Sequence, residues 1–261
     1  MSLVDDGVPT RGGSVRRTLQ ILELVAARGG ASAKEISDAI DLPLPTVYRL
    51  VRELLDSEYL VHIRTEKRFE LGYKLHQLAL SLHQQIGVPR PVRTEIVALH
   101  QRMGAAAYFA IHRGSQIVVV QTAESPAAPR LKPIDFGFHE AAHATALGKI
   151  LLADMDDEQR ERHLDPEPMP RFGPGTLITH GELAEQLAKV ADSGIAWEIE
   201  EFQPGASCCA AAVRSASGSI VGSVAVSAPK ERFAQRRAVV EHELRCTASA
   251  VSRYYRSGHT G

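Results

Sequence analysis

The stretch that most constrains the fold is a pair of short helical segments separated by a proline, within residues 32–55. Ser32 and Glu35 have the spacing of a capping box, in which each side chain satisfies a backbone N–H at a helix start. Pro43 ends this first helix, because proline lacks the N–H donor and disfavours the helical conformation of its predecessor. Pro45 can begin a second helix, since its missing N–H costs nothing there. The pattern predicts a helix, a tight turn and a second helix.

The second helix has two distinct faces. Its apolar face consists of Val47, Leu50, Val51 and Leu54. The outer residues that we predict to contact DNA are Pro45, Thr46, Tyr48, Arg49 and Arg52. Guanidinium groups outside a helix-turn-helix are typical of DNA-binding proteins. The alternative is a pair of surface helices with ordinary solvated arginines.

A third helix is predicted over residues 14–28, before this pair in the chain. It ends at Gly29-Gly30. The face that we expect to pack behind the pair consists of Val15, Leu19, Leu22 and Ala26. Arg16 and Arg17 lie near the start of this helix. Their side chains would either contact DNA phosphates or stay solvated.

A segment of alternating apolar and polar residues follows the pair. Residues 59–64 and 69–72 flank a four-residue polar turn, which predicts a β-hairpin. Three helices and a hairpin make a winged helix-turn-helix, predicted for residues 11–72. The wing carries Arg64, Lys67 and Arg68, which are placed to reach the backbone or minor groove of double-stranded operator DNA.

Charge and composition narrow the possible partners. The formal net charge is -1, so any contact with DNA must be local. Acidic residues nearly balance basic ones within residues 11–70, so one module should bind weakly and a dimer is expected. No apolar run approaches the roughly 20 residues of a membrane span. The sparse, odd set of three cysteines does not form a disulfide framework, which favours a protein of the reducing cytoplasm.

A fourth helix, also amphipathic, is predicted over residues 73–86. Its apolar stripe consists of Leu75, Leu78, Ala79, Leu82 and Ile86. We predict that residues 73–88 link the N-terminal domain to a second domain over residues 89–257. The stripe would pack either on its own domain or on the same helix of a second subunit.

The remainder of the chain predicts an antiparallel α+β domain, because sequential hairpins occur with helices grouped elsewhere. The predicted helices cover residues 92–103, 144–155, 157–164, 180–193 and about 232–256. The predicted strands cover residues 105–112, 117–123, about 131–136, 195–201, 207–214 and 219–227.

The chain resembles the IclR family of bacterial transcriptional regulators, from Val15 to about Tyr255. The segments that carry the resemblance are residues 34–36, 46–50, 69–72, 144–149, 200–201, 205–213 and 224–227. The resemblance implies an N-terminal winged helix-turn-helix, a linker helix, a GAF-like domain that binds a small-molecule effector, and a homodimer or homotetramer. It implies a ligand-responsive regulator, more often a repressor.

The resemblance also implies an effector site, carried over by counting from Cys208. Its residues in this chain are Ala146, Leu147, Glu198, Cys208 and Ser227. Glu198 stands where the family often has aspartate, and Ala225 replaces one of two serines found in members that sense small oxoacids. Both differences argue against glyoxylate or pyruvate as the effector. Leu44 and Pro45 also replace a polar residue and a capping serine, so an operator cannot be taken from relatives.

Three groups of residues allow other chemistry. Cys208-Cys209 could be a nucleophile or redox pair, but no motif supplies a base, and neighbouring strand residues point to opposite faces. His139 and His143 are four residues apart and could share a helical face, but nothing completes a zinc site.

The third group is acidic. If the strand continues to residue 201, Glu198 and Glu200 share one face and Glu201 lies on the other, with no other acid placed beside them for paired-carboxylate catalysis. The sequence has no phosphate loop or dinucleotide fingerprint. We therefore expect a regulator without enzymatic activity, metal or cofactor. The alternative is an enzyme acting on a small acid, with the N-terminal module as an adaptor.

Overall fold

The computed structural model describes residues 12–114 and 116–257, which divide into two compact units between Gln85 and Ile86. Residues 1–11, 115 and 258–261 lie outside these ranges. None of the described helices is long and apolar enough to cross a membrane. The division into 11–72, 73–88 and 89–257 remains a prediction.

The N-terminal unit contains the predicted winged helix-turn-helix. Its elements are α1 (Gly12–Arg28), α2 (Ala33–Ile40), α3 (Leu44–Asp56), β1 (Leu60–Ile63), β2 (Arg68–Leu71) and α4 (Tyr73–Ile86). The capping box at the start of α2 is confirmed, with the Glu35 carboxylate accepting from the Ser32 N–H at 2.7 Å. Asp41 ends α2 in the left-handed conformation, and the Ser37 hydroxyl donates to the Leu42 carbonyl at 2.6 Å. These bonds form the tight turn before α3.

The face of α1 that packs on the other helices differs from the predicted one. Ile21 and Val25 are buried, whereas Val15 and Leu19 are exposed. The predicted face was wrong because apolar side chains lie on several sides of this helix. The neighbouring helices determine which of those sides is covered.

The C-terminal unit is an antiparallel α+β domain, as predicted. Its elements are α5 (Arg90–Met103), β3 (Ala106–Arg113), β4 (Gln116–Ala123), a 3-10 turn (Ala142–Ala144), α6 (Ala146–Leu152), α7 (Asp157–Glu161), α8 (His180–Ser193), β5 (Ile195–Ile199), β6 (Ala206–Arg214), β7 (Ile220–Pro229), α9 (Lys230–Ala234) and α10 (Arg237–Arg256). The five strands form one sheet in the order β4-β3-β7-β6-β5. Helices α5 and α10 cover one face, and α6 and α8 cover the other.

Small side chains on the sheet allow α6 to pack closely. Ala106, Ala210 and Ala225 lie on the face that α6 covers, and every residue of α6 is buried. At Gly148 a Cβ atom would lie 2.3 Å from the carbonyl oxygen of Ala142, so only glycine fits. The first turn of α6 is therefore held deep in the unit.

Several predicted elements are corrected by the structure. The stretch 131–136 is a turn, not a strand, and the backbone of Val119 bonds with Gly137 and Phe138 beyond it. The predicted helices 144–155 and 157–164 are shorter than expected, and the final helix is interrupted between α9 and α10. The strand predicted to end at residue 201 ends at Ile199, because Glu200 adopts a left-handed conformation with φ 56°.

Candidate functional site

The outer face of α3 presents most of the residues predicted to contact DNA. Val47, Leu50, Val51 and Leu54 are buried, as predicted. Pro45, Tyr48, Arg49 and Arg52 are exposed and Thr46 is half-buried. Arg52 approaches Asp56 at 3.9 Å, a solvated pair of little strength. In the described part of the chain Arg49 forms no ion pair, so its guanidinium is available to a ligand.

The other basic residues differ in whether they form contacts within the N-terminal unit. Arg64 and Lys67 are exposed in the turn of the wing, and Arg16 and Arg17 are exposed in the first turns of α1. Arg68 forms contacts within the unit. Its guanidinium pairs with Glu70 at 3.0 Å and Glu66 at 3.5 Å and donates to the Gly29 carbonyl. This arrangement ties the wing to the end of α1, so we leave Arg68 out of the proposed DNA contacts.

In the C-terminal unit, three predicted effector residues lie in a row across the sheet. Glu198 on β5 is directly opposite Cys208 on β6, which is directly opposite Ser227 on β7. All three are buried. Residues paired in this way point to the same face of a sheet. This polar row faces the layer that contains Ala146 and Leu147, the first residues of α6. The structure therefore places all five predicted residues on one side of the sheet.

The Glu198 carboxylate is only partly satisfied. Its Oε1 accepts from the N–H groups of Glu201 at 2.6 Å and Phe202 at 3.0 Å. Its Oε2 is buried without a nitrogen or oxygen partner among the described residues. Burial raises the pKa of Glu198, although the two N–H bonds, a hydrogen bond from the Cys208 thiol and the charge of Lys149 oppose this. An unpaired buried carboxylate oxygen is costly, so this atom is suited to accept a bond from a ligand.

Cys208 lies beside Glu198 but lacks the properties of a nucleophile. Burial raises the pKa of its thiol well above the usual range, and the neighbouring Glu198 raises it further. A reactive cysteine requires the opposite shift. Cys208 and Cys209 belong to the clusters on opposite faces of the sheet, as predicted. The pair is therefore part of the core and the site lining.

Two polar residues of this region, Tyr108 and Lys149, were not among the predicted site residues. The Tyr108 hydroxyl lies 2.8 Å from the Ser227 hydroxyl and accepts from the Leu131 N–H at 2.9 Å. Burial raises the pKa of Tyr108. The Lys149 ammonium is buried 2.5 Å from both oxygens of Glu201. The signal for Lys149 was its position in the otherwise apolar segment 146–152, where a charge needs a partner.

The arrangement of the acidic residues also corrects the prediction. Glu201, not Glu200, lies with Glu198 on the buried side. Glu200 pairs with Lys230 at 2.6 Å near the surface. The prediction was wrong because it extended the alternation of β5 through the left-handed residue at position 200.

The two histidines considered as metal ligands lie in different environments. His143 is buried, with its Nε2 3.0 Å from the Pro170 carbonyl oxygen, while His139 is exposed and lies outside any helix. In residues 12–114 and 116–257 no group of three or more side chains could hold a metal ion.

A cavity of about 310 Å³ opens beside Ser227 at one end of the sheet. Ala128 and Leu131 contribute to its apolar walls, and Arg130 and Arg232 also line it. Leu131 is held by Tyr108, so the cavity and the polar row share a hydrogen-bonded wall.

Family models match both units. Residues 14–63 match the IclR helix-turn-helix domain, and residues 82–253 match the model described as bacterial transcriptional regulator IclR C-terminal. A similar curated protein is the HTH-type transcriptional repressor AllR of Salmonella typhi, 26% identical over 92% of this chain and 88% of its own length.

Solved structures show the same fold. The IclR of Thermotoga maritima has a TM-score of 0.73 at 20% identity, covering 94% of this chain and 99% of its own. An IclR homolog from Microbacterium hydrocarbonoxydans, complexed with 4-hydroxybenzoate, has a TM-score of 0.75 at 24% identity, covering 94% and 100%. The matches favour a regulator over the enzyme alternative. The chain belongs to the IclR family of bacterial transcriptional regulators.

Proposed function

We propose that this protein is a cytoplasmic, homo-oligomeric repressor whose binding to operator DNA changes when its C-terminal unit binds a small hydroxylated or amine-bearing acid. The observation that carries the proposal is the buried Oε2 of Glu198, which accepts from no N–H or O–H group among the described residues, in a unit separate from the helix-turn-helix. The repressor role rests on relatives such as AllR of Salmonella typhi.

The proposed DNA contacts fall into two sets. Pro45, Thr46, Tyr48, Arg49 and Arg52 face the major groove, where a recognition helix meets base edges. Arg16, Arg17, Arg64 and Lys67 contact the phosphate backbone, since they are exposed at the start of α1 and in the wing. Phosphate contacts position the module, and base contacts provide specificity.

The proposed effector site lies between the polar row on the sheet and the first residues of α6. A hydroxyl or amine of the ligand donates to Glu198, and its carboxylate lies near the N–H groups of Ala146 and Leu147. Among the described residues neither N–H donates to a backbone acceptor, as expected for the first turn of a helix. Cys208 and Ser227 complete the lining. The M. hydrocarbonoxydans relative with 4-hydroxybenzoate, an acid that carries a hydroxyl, supports this ligand class.

The oligomer is proposed to form in part through α4. Leu78 and Leu82 of the predicted stripe are 46% and 39% exposed within one chain. An exposed apolar stripe on a helix is suited to pairing with a copy of itself. Two recognition helices then bind half-sites about one helical turn apart, or a multiple of it, so a small change in their spacing alters affinity.

A thermal-shift screen of organic and amino acids with the full chain tests the effector. A ligand at 100 times its dissociation constant should stabilise the protein by about 2.7 kcal/mol. Each ligand found is then incubated with the protein and recovered. Unchanged ligand supports a regulator, whereas turnover would establish the enzyme alternative. A screen that stabilises nothing would leave the polar row without an effector role.

A further inference from the structure

The first turn of α3, the proposed recognition helix, carries apolar side chains that are exposed to solvent. Leu44 is 39% exposed and Tyr48 is 55% exposed. They are four residues apart in α3, so their side chains are neighbours on the helix surface. Neither belongs to the buried apolar cluster of the N-terminal unit. The unit's own core therefore does not account for these two side chains.

This turn also offers little hydrogen bonding. Pro43 caps α3 without a side-chain hydrogen bond, and Leu44 and Pro45 have no polar side-chain atoms. Thr46 is half-buried and Val47 is buried. The residues at the start of a recognition helix are the ones that meet base edges in the major groove. Among the exposed residues 44, 45 and 48, the Tyr48 hydroxyl is the one side-chain group that can form a hydrogen bond, so base recognition at this end of α3 must rest mainly on apolar contact.

The major groove presents one apolar group on an unmodified base, the C5 methyl of thymine. A leucine against that methyl buries apolar surface on both partners. The same leucine against a G·C pair would cover the N4 donor of cytosine or the O6 acceptor of guanine. The hydrogen bond of that group to water would be lost and not replaced. The apolar turn therefore favours A·T pairs and disfavours G·C pairs.

We propose that Leu44 and Tyr48 recognise thymine methyl groups, so that each operator half-site carries thymines opposite the start of α3, beside the bases that Arg49 and Arg52 face. This inference rests on the proposed function and adds to it the class of base that is recognised. It also gives a role to Leu44, which stands where the family resemblance implies a polar residue.

The test removes single methyl groups from the DNA. A binding sequence is first selected from a random double-stranded DNA library with the full chain. Each thymine is then replaced by uracil, which keeps base pairing and lacks only the C5 methyl. With the parent protein, at least one uracil position in each half-site should weaken binding about fourfold, the effect of one buried methyl group.

Variants then assign the methyl to a side chain. With Leu44→Ala, the ratio of thymine to uracil affinity at one sensitive position should fall to about one, and Tyr48→Ala should do the same at a neighbouring position. The matched control is Leu19→Ala, which removes another exposed leucine, on α1. It should keep the full ratio. Because each ratio is taken within one variant, general effects on folding or pairing cancel. Circular dichroism checks that the total helix content of each variant matches that of the parent.

The outcomes are distinct. Sensitivity that disappears with Leu44→Ala or Tyr48→Ala but persists with Leu19→Ala supports the inference. Binding of the selected DNA that no uracil weakens, or sensitivity that persists in both α3 variants, overturns it and leaves the proposed function intact. A protein that enriches no DNA sequence would contradict the proposed function itself, and this inference with it.

Discussion

Lys149 and Glu201 form an ion pair inside the C-terminal unit, with the ammonium nitrogen 2.5 Å from both carboxylate oxygens and both side chains buried. Burial raises the pKa of Glu201 to about 7 and lowers the pKa of Lys149, so each charge depends on its partner. Glu198 accepts a hydrogen bond from the Glu201 N–H. The pair thus fixes the backbone that holds the polar row.

Breaking this pair should destabilise the C-terminal unit. Lys149→Met leaves Glu201 buried without its partner, which should cost about 3–5 kcal/mol in the free energy of unfolding. The double variant Lys149→Met with Glu201→Gln should recover part of that loss, because no unpaired charge remains. Urea denaturation, with a probe of the C-terminal unit, measures both effects.

The matched control for that prediction is the surface pair between Lys230 and Glu200, at 2.6 Å. Lys230→Met removes the same type of charge at a solvated position and should cost far less. Equal losses for Lys149→Met and Lys230→Met would show that burial of the first pair has no special effect.

Glu198→Gln should change effector affinity. The substitution keeps the size of the side chain but alters what it can accept and donate at the site of the buried Oε2. The expected change is about 1–3 kcal/mol in binding free energy, the scale of a mispaired buried polar group. DNA affinity without effector should barely move. Isothermal titration with each ligand from the screen measures this, and parent-like binding of every ligand would show that the site is misplaced.

The same variant tests the charge of Glu198. Burial raises the pKa of Glu198, so the protonated form persists to higher pH than for a solvated glutamate. Above that pKa the carboxylate repels a ligand that is itself an acid. For a hydroxylated acid the dissociation constant should therefore increase with pH in the parent protein and stay nearly constant in Glu198→Gln. A parallel pH dependence in both proteins would assign the effect to another group.

The stripe on α4 should control assembly. Leu78→Asp with Leu82→Asp would place charges in an apolar contact, where unpaired burial is unfavourable. Light scattering should show a smaller, folded particle with weak operator binding. An unchanged mass would mean that the stripe does not hold subunits together.

Arg49 and Lys67 should affect DNA binding in different ways. Arg49→Ala should cost about 1–3 kcal/mol and relax the preference at one base pair, because we propose that its side chain faces the major groove. Lys67→Ala should weaken all sequences alike and reduce the salt slope by about one. Competition with single-base operator variants at several salt concentrations separates the two. A loss with Arg49→Ala that is equal on every sequence would exclude base recognition by this residue.

Local signals predicted the helix-turn-helix well. The Ser32–Glu35 box, Pro43 and the apolar face of α3 each act within a few residues, and all three appear in the structure. The buried face of α1 was not predictable in this way, since the choice between Leu19 and Ile21 depends on the neighbouring helices. Local patterns define elements, and packing determines their orientation.

The effector region shows the same division. The family resemblance predicted Glu198, Cys208 and Ser227, and strand pairing brings them into one row. The ion pair of Lys149 with Glu201 joins residues 52 positions apart, which no local pattern predicts. Because Glu200 adopts a left-handed conformation, Glu201 points to the face of Glu198 and not to the opposite face that was predicted.

We propose that effector binding and DNA binding are coupled within this protein. The most direct measurement is the dissociation constant of the selected operator by fluorescence anisotropy, with and without a saturating ligand from the screen. We predict a change of about 5–150-fold, and the same factor in ligand affinity when DNA is present, because coupling is reciprocal. Identical operator affinity with and without saturating ligand would contradict the account.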